Sequence, residues 1–250
     1  MSTNADTPKY NTATAQQMMT LAGLAYTDYN NINNMQADLI TQLADTSYAT
    51  NGEWTLEWGP AWDEYLFQSN LVTYAAVNNT TNEHAIVFRG TIPADLVDVI
   101  GDLNVKNGIV WPWGTPTNSP VIAEGSYDAL KIVLAETPTG STVTLTDYID
   151  SLANASGTTT LYIAGHSLGG ANATSLALYI ADNYTTEQLN VIVYTFAAPS
   201  VGDANFVDYF NQRLPGKLFR FYWYWDLMPH FWNSLEPAFQ NGIPVAASGL

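Results

Sequence analysis

A serine between two glycines has the setting best suited to nucleophilic chemistry in this chain of 250 residues. Residues 165–169 read Gly-His-Ser-Leu-Gly, and they join the apolar run "TTLYIAG" to the helix-forming run "LGGANATSLALYIADNY". In a tight turn from strand to helix, glycines avoid collisions and the serine hydroxyl is aimed out of the sheet. The sequence therefore predicts a strained nucleophile at Ser167. It also predicts that the amide of Leu168, at a helix N-terminus, donates to an oxyanion.

The order of elements predicts how this turn is positioned. From residue 158 onward the pattern is strand, helix, strand, helix, strand. Because right-handed crossovers make such strands parallel, we expect an α/β fold with helices on both faces of the sheet. Ligands bind at the carboxyl ends of the strands in such folds. Ser167, Pro199 and Asp226 each follow a predicted strand and should share that edge.

Upstream of the serine, periodicity and turn residues predict further elements. The segments 71–77 and 84–90 flank an Asn-rich turn and are predicted to pair as a hairpin. Helical spacing is found in "TAQQMMTLAGLAY", "EGSYDALKIVLAE" and "TLTDYIDSLANA", and also over residues 92–103.

Composition excludes several classes of function. The chain has no cysteine, so it has no disulfide, no thiolate metal site and no cysteine nucleophile. Its formal net charge is −16, with only seven Lys and Arg, so its surface repels nucleic acid and anionic lipid headgroups. We expect no nucleic-acid partner, and any contact with lipid should be apolar. The length and the apolar content of 47% predict that residues 1–250 form a single domain.

No run of 18 apolar residues is present, so no transmembrane helix is predicted. The polar start, "MSTNADTPKY", lacks the order of a signal peptide. Two interpretations stay open: a cytoplasmic protein, or a secreted one whose signal was removed and replaced by Met1.

Four segments, in the same order, resemble the class 3 lipase family of fungal-type triacylglycerol lipases and their bacterial relatives. They are "IVFRGT", "AGHSLGGA", "TFAAPSVGD" and "RFYWYWDLMPHF". The resemblance implies an α/β-hydrolase fold, with a mostly parallel central sheet and a lid helix after the oxyanion strand. It implies a lipase-like carboxylic ester hydrolase that needs no cofactor. Such an enzyme cleaves acylglycerols or related fatty acyl esters through an acyl-serine, at a lipid–water interface.

The resemblance also implies roles for single residues. Thr91 would donate hydrogen bonds from its amide and its hydroxyl to the oxyanion, beside the amide of Leu168. Asp102 would help to orient Thr91, the oxyanion residue. Residues 92–103 would form the lid. Asp226, between strongly apolar flanks, would be the acid of the triad, because a buried carboxylate needs a partner. No metal site is expected, because the aspartates of 92–103 have no histidine or third ligand nearby.

The catalytic base is less well defined by the sequence. Of three histidines, His84 precedes its strand and should lie at the wrong end of the sheet, while the elbow should turn His166 away from the serine. His230 follows Asp226 by four residues. The family brings its histidine in from a later loop, so two hypotheses stay open. Either His230 is the base, or the C-terminal segment that carries the usual histidine is missing.

The sequence is compatible with three functions. The first is the lipase-like hydrolase, and the second is an esterase for short-chain or feruloyl-type esters. The third is a non-catalytic relative that binds lipids or esters and lacks the base. Four loop aromatics are hypothesised to contact an acyl chain or an interface: Trp111, Trp113, Phe231 and Trp232.

Overall fold

The computed structural model describes residues 10–28, 34–64, 70–91 and 107–223. Within these ranges the helices are α1 (Thr12–Leu24), α2 (Met35–Leu43), α3 (Glu124–Ala135), α4 (Leu145–Ala153), α5 (Leu168–Asn183) and α6 (Ala204–Arg213). The strands are β1 (Trp54–Glu64), β2 (Asn70–Asn78), β3 (His84–Phe88), β4 (Gly108–Val110), β5 (Val121–Ala123), β6 (Thr159–His166), β7 (Leu189–Phe196) and β8 (Leu218–Phe221).

Six strands form the central sheet, in the order β1-β2-β3-β6-β7-β8, and β4 pairs with β5 separately. The first three strands are antiparallel, whereas β3, β6, β7 and β8 run parallel. In register, Phe88 lies opposite Gly165, and Phe196 lies opposite both His166 and Phe221. The carboxyl ends of the four parallel strands therefore meet at one edge, as predicted.

Helices cover each face of the sheet. Successive side chains of a strand point to opposite faces, so the apolar strands place apolar side chains on both faces, where the helices bury them. Ile86 and Phe88 of β3 belong to one apolar cluster, together with residues of α3, α4 and α5. Ala85 and Val87 belong to the other, together with residues of α1 and α2. The predicted α/β fold with helices on both faces is confirmed. None of the described helices is long and apolar enough to cross a membrane.

Four described elements were not predicted: the helix α2, the edge strand β1 and the short pair β4 and β5. The sequence of β1, "WTLEWGPAWDE", has Gly59 and Pro60 in its middle, which is a signal against a strand. The structure accommodates them with register shifts between Leu56 and Trp58 and between Trp58 and Ala61. Because β1 is the edge strand, the missing proline N–H interrupts no ladder on its outer side.

Candidate active site

Ser167 occupies the turn between β6 and α5, at the carboxyl edge of the sheet. Its backbone has φ +56° and ψ −128°, a conformation that residues with a side chain rarely adopt. Two hydrogen bonds hold it there: the Ser167 N–H donates to the carbonyl of Phe196 at 2.8 Å, and its carbonyl accepts from the Gly170 N–H at 2.9 Å. The predicted strained elbow is thus fixed by β7 and by the first turn of α5.

The glycines of the elbow are explained by close approach. A Cβ on Gly165 would lie 2.2 Å from the carbonyl carbon and oxygen of Gly169. A Cβ on Gly169 would lie 2.4 Å from the carbonyl oxygen of Phe88. Side chains at either position would push α5 away from β3 and β6. The glycines at positions 165 and 169 are therefore needed because α5 packs too closely against β3 and β6 to leave room for a side chain.

The Ser167 side chain is enclosed and unpaired. The residue is 4% exposed, and its Oγ has no hydrogen-bond partner among the described residues. A buried hydroxyl without a partner is costly, so such a group needs an explanation. Here the hydroxyl keeps its donor and its lone pairs available for a base or a substrate.

The segment after β3 packs directly against this serine. A Cβ on Gly90 would lie 2.9 Å from the Ser167 Cβ and 2.4 Å from the carbonyl oxygen of His166. Thr91, which follows Gly90, is buried. Leu168 begins α5 immediately after the serine. The structure thus brings the predicted residues Ser167, Leu168 and Thr91 to one place.

Tyr26 belongs to the same place and was missed by sequence reasoning. Its hydroxyl lies 2.8 Å from Nδ1 of His166 and accepts the Gly90 N–H at 3.0 Å. The two rings are also in edge contact, with centroids 5.6 Å apart. Burial raises the pKa of Tyr26 to about 12. Because Tyr26 precedes Gly90 by 64 residues, no spacing in the sequence could have connected them.

A family model described as lipase (class 3) matches residues 85–235. The chain belongs to the class 3 lipase family. No curated protein sequence gives a significant match.

Solved lipases share the fold of this chain. The crystal structure of M37 lipase superposes with a TM-score of 0.79 at 24% identity, covering 90% of this chain and 71% of that one. Rhizomucor miehei triacylglyceride lipase gives 0.62 at 21% identity, covering 90% and 77%. Lipase II from Rhizopus niveus gives 0.61 at 18% identity, covering 92% and 77%. The α/β-hydrolase fold is confirmed, and the family is one of ester hydrolases.

Apart from His166, the structure describes one histidine, His84, and it lies at the opposite end of the sheet from Ser167. His84 begins β3 opposite Leu161, at the amino end of β6, as predicted. Its Nδ1 lies 2.8 Å from Oε2 of Glu57, and the Tyr148 hydroxyl donates to the same oxygen at 2.6 Å. The His84 bond is the main cause that lowers the pKa of Glu57. These hydrogen bonds join β1, β3 and α4, so we interpret the group as structural.

The hypothesis that Trp111 contacts an acyl chain is wrong. Trp111 is 2% exposed, and its indole N–H donates to Oδ2 of Asp182 at 2.7 Å. Trp113 packs beside it against Tyr127 and Tyr179. Trp111 holds the loop after β4 on the fold through its hydrogen bond to Asp182 in α5. Trp113 does the same through its ring contacts.

Several predicted residues lie outside the described ranges, and their roles stay predictions. They are Asp102, Asp226, His230, Phe231, Trp232 and the lid segment 92–103. Among the residues that the structure does describe, no group of three or more His, Asp or Glu side chains could hold a metal ion.

Proposed function

We propose that the protein hydrolyses carboxylic esters of fatty acids, acylglycerols or related lipids, with Ser167 as the nucleophile. The observation that carries this proposal is the buried hydroxyl of Ser167 on a strained turn, without a hydrogen-bond partner among the described residues. That setting prepares a hydroxyl for attack on a carbonyl. Family membership supports lipid esters as the substrate class.

In the proposed reaction, Ser167 Oγ attacks the ester carbonyl while its proton moves to a histidine base. The amide of Leu168 and the amide and hydroxyl of Thr91 stabilise the oxyanion, each well-placed donor lowering the barrier by about 3 kcal/mol. The alcohol leaves with the proton, and an acyl-serine remains. Water then attacks this ester, the acid departs, and Ser167 recovers its proton. No cofactor enters these steps.

The base is proposed among the histidines of the sequence. His84 contacts Glu57 at the opposite end of the sheet, and Nδ1 of His166 is bonded to Tyr26. His230 is therefore the candidate within this chain, with Asp226 as the acid that orients it. A histidine in a later segment is the alternative that the family resemblance raises.

Labelling with a fluorophosphonate probe tests the nucleophile. Wild type should be labelled and should hydrolyse p-nitrophenyl esters, with the preferred acyl chain length separating a lipase from a short-chain esterase. Ser167→Ala should lose labelling and about 10³–10⁶-fold in kcat. Ser175→Ala is the matched control, because Ser175 is buried in α5, the helix that follows Ser167, and its hydroxyl donates to the carbonyl of Ala171 at 3.1 Å.

The control should be labelled as wild type is. Equal labelling of Ser167→Ala would overturn the nucleophile, and unlabelled, inactive wild type would favour a non-catalytic lipid-binding relative. The same assay on His230→Ala addresses the base. A folded variant that has lost several orders of magnitude in kcat identifies His230, whereas an unchanged rate rejects it.

A further inference from the structure

The hydroxyl of Tyr26 connects the two backbone segments of the candidate site. A backbone N–H can only donate, so the Tyr26 hydroxyl oxygen accepts the hydrogen bond from the Gly90 N–H at 3.0 Å. Its own hydrogen remains available for Nδ1 of His166, 2.8 Å away. One oxygen atom therefore joins the residue before Thr91 to the residue before Ser167.

Gly90 is required by space, but glycine is also the residue with the greatest backbone freedom. A Cβ at this position would lie within 3 Å of His166, Tyr26 and Ser167. The direction of the Thr91 amide depends on the φ and ψ of Gly90, and these angles are the least restricted of any residue type. A hydrogen bond to the Gly90 N–H supplies the restriction that the missing side chain cannot.

Tyr26 is itself held by the turn after α1. Its backbone N–H donates to the carbonyl of Gly23 at 3.1 Å, and the N–H of the next residue donates to the carbonyl of Leu24 at 3.0 Å. Leu24 and Ala25 are buried in the cluster beneath α1. Because burial raises the pKa of Tyr26 to about 12, the hydroxyl keeps its proton in any ordinary ester assay. The hydroxyl is thus a fixed, neutral anchor.

We propose that Tyr26 is a positioning residue whose hydroxyl holds Gly90 so that the donors of Thr91 point at the oxyanion. This inference rests on the function proposed for Ser167 and Thr91. Stabilisation of an oxyanion depends on donors that are already aimed before the reaction begins, and small displacements cost large factors in rate. Tyr26 acts through Gly90 and touches no reacting atom.

Removal of the hydroxyl alone tests this role. Tyr26→Phe keeps the ring and should lower kcat on p-nitrophenyl butyrate by about 10–100-fold, with KM within about two-fold of wild type. Tyr74→Phe is the matched control, since the Tyr74 hydroxyl is fully buried and donates to the carbonyl of Leu21 in α1 at 2.7 Å. The control should lose thermal stability and keep the wild-type kcat.

A second measurement separates positioning from general loosening of the fold. A trifluoromethyl ketone analogue of the substrate adds to the serine as a tetrahedral oxyanion, so its inhibition constant reports the aimed donors. Tyr26→Phe should weaken this inhibitor by the same factor as it lowers kcat/KM, and the control should not weaken it. If Tyr26→Phe changes only the melting temperature, in an active protein, the positioning role is wrong. If wild type hydrolyses no ester and Ser167 takes no label, the proposed function itself is wrong.

Discussion

The two ends of the sheet each carry a histidine that contacts a neighbour through Nδ1, with a tyrosine beside it. At the amino end, His84 and Tyr148 both bond to one carboxylate oxygen of Glu57. At the carboxyl end, His166 contacts the hydroxyl of Tyr26, which also accepts a backbone amide. We call these two groups the amino-end cluster and the carboxyl-end cluster. Since His84 lies opposite Leu161, five residues before His166, they are separated along β6 by about 17 Å, the rise of five strand residues.

What differs between the two clusters is the saturation of their polar groups. In the amino-end cluster one carboxylate oxygen accepts from both donors, and these hydrogen bonds stabilise the fold. Next to the carboxyl-end cluster, the Ser167 hydroxyl is buried without a partner among the described residues. Residue types alone would not separate a structural histidine from one beside a nucleophile. Unused hydrogen-bonding capacity does.

Among the changes that compare the two clusters, the largest effect should come from adding a side chain at Gly90, beside the carboxyl-end cluster. Gly90→Ala places a Cβ 2.4 Å from the His166 carbonyl oxygen and 2.9 Å from the Ser167 Cβ, so the oxyanion segment must shift. We expect kcat/KM to fall about 10²–10³-fold, as for the loss of one oxyanion donor. Steady-state kinetics on p-nitrophenyl butyrate measure it. Gly23→Ala is the control, because nothing lies within 4 Å of its Cβ and α1 should gain about 0.5–1 kcal/mol. Wild-type activity in Gly90→Ala would contradict the tight contact.

A second comparison concerns carboxylates with and without partners. Glu136 is buried, and among the described residues its carboxyl oxygens make no well-formed hydrogen bond, the Thr73 hydroxyl being the neighbour that lowers its pKa slightly. Burial raises the pKa of this group from 4.5 to about 8. The folded protein then holds a proton that the unfolded chain has lost, so stability falls as the pH rises from 4.5 to about 8 and levels off above that.

Glu136→Gln should remove this dependence. Its free energy of unfolding should equal that of wild type below pH 4.5 and exceed it by about 5 kcal/mol at pH 9, in urea titrations at both values. Equal stabilities at pH 9 would mean that the Glu136 carboxylate has partners. Because Gln is also neutral, the variant serves as its own control at low pH.

The smallest effect is expected in the amino-end cluster, where the pH dependence has the opposite sign. The pKa of Glu57 is lowered by His84, so its contribution is present above the unfolded value of 4.5 and is lost as the pH falls through the folded value. Since its side chain is 36% exposed, water screens much of the interaction. Glu57→Gln should cost about 1 kcal/mol at pH 7 and progressively less as the pH falls below 4.5, with kcat unchanged. A fall in kcat would show that the two ends of the sheet are coupled.

The local elements were largely predictable. The helices α1, α3 and α4 and the alternation of strands and helices after residue 158 follow from periodicity within single segments. The edge strand β1 was missed because Gly59 and Pro60 conceal its pattern, and only pairing with β2 makes it a strand. Trp111 looked like a loop aromatic, and only the folded chain brings Asp182 to its indole nitrogen.

The sequence by itself determined the family and the strained turn at Ser167, because the contacts behind the glycine spacing lie within a few residues of Ser167 or directly across one strand. Tertiary structure alone decided which polar groups are satisfied. Tyr26 meets His166 across 140 residues, and Tyr148 meets Glu57 across 91. No spacing encodes such contacts, since they depend on the packing of whole helices against the sheet. That packing closes the amino-end cluster and leaves the Ser167 hydroxyl unpaired among the residues described.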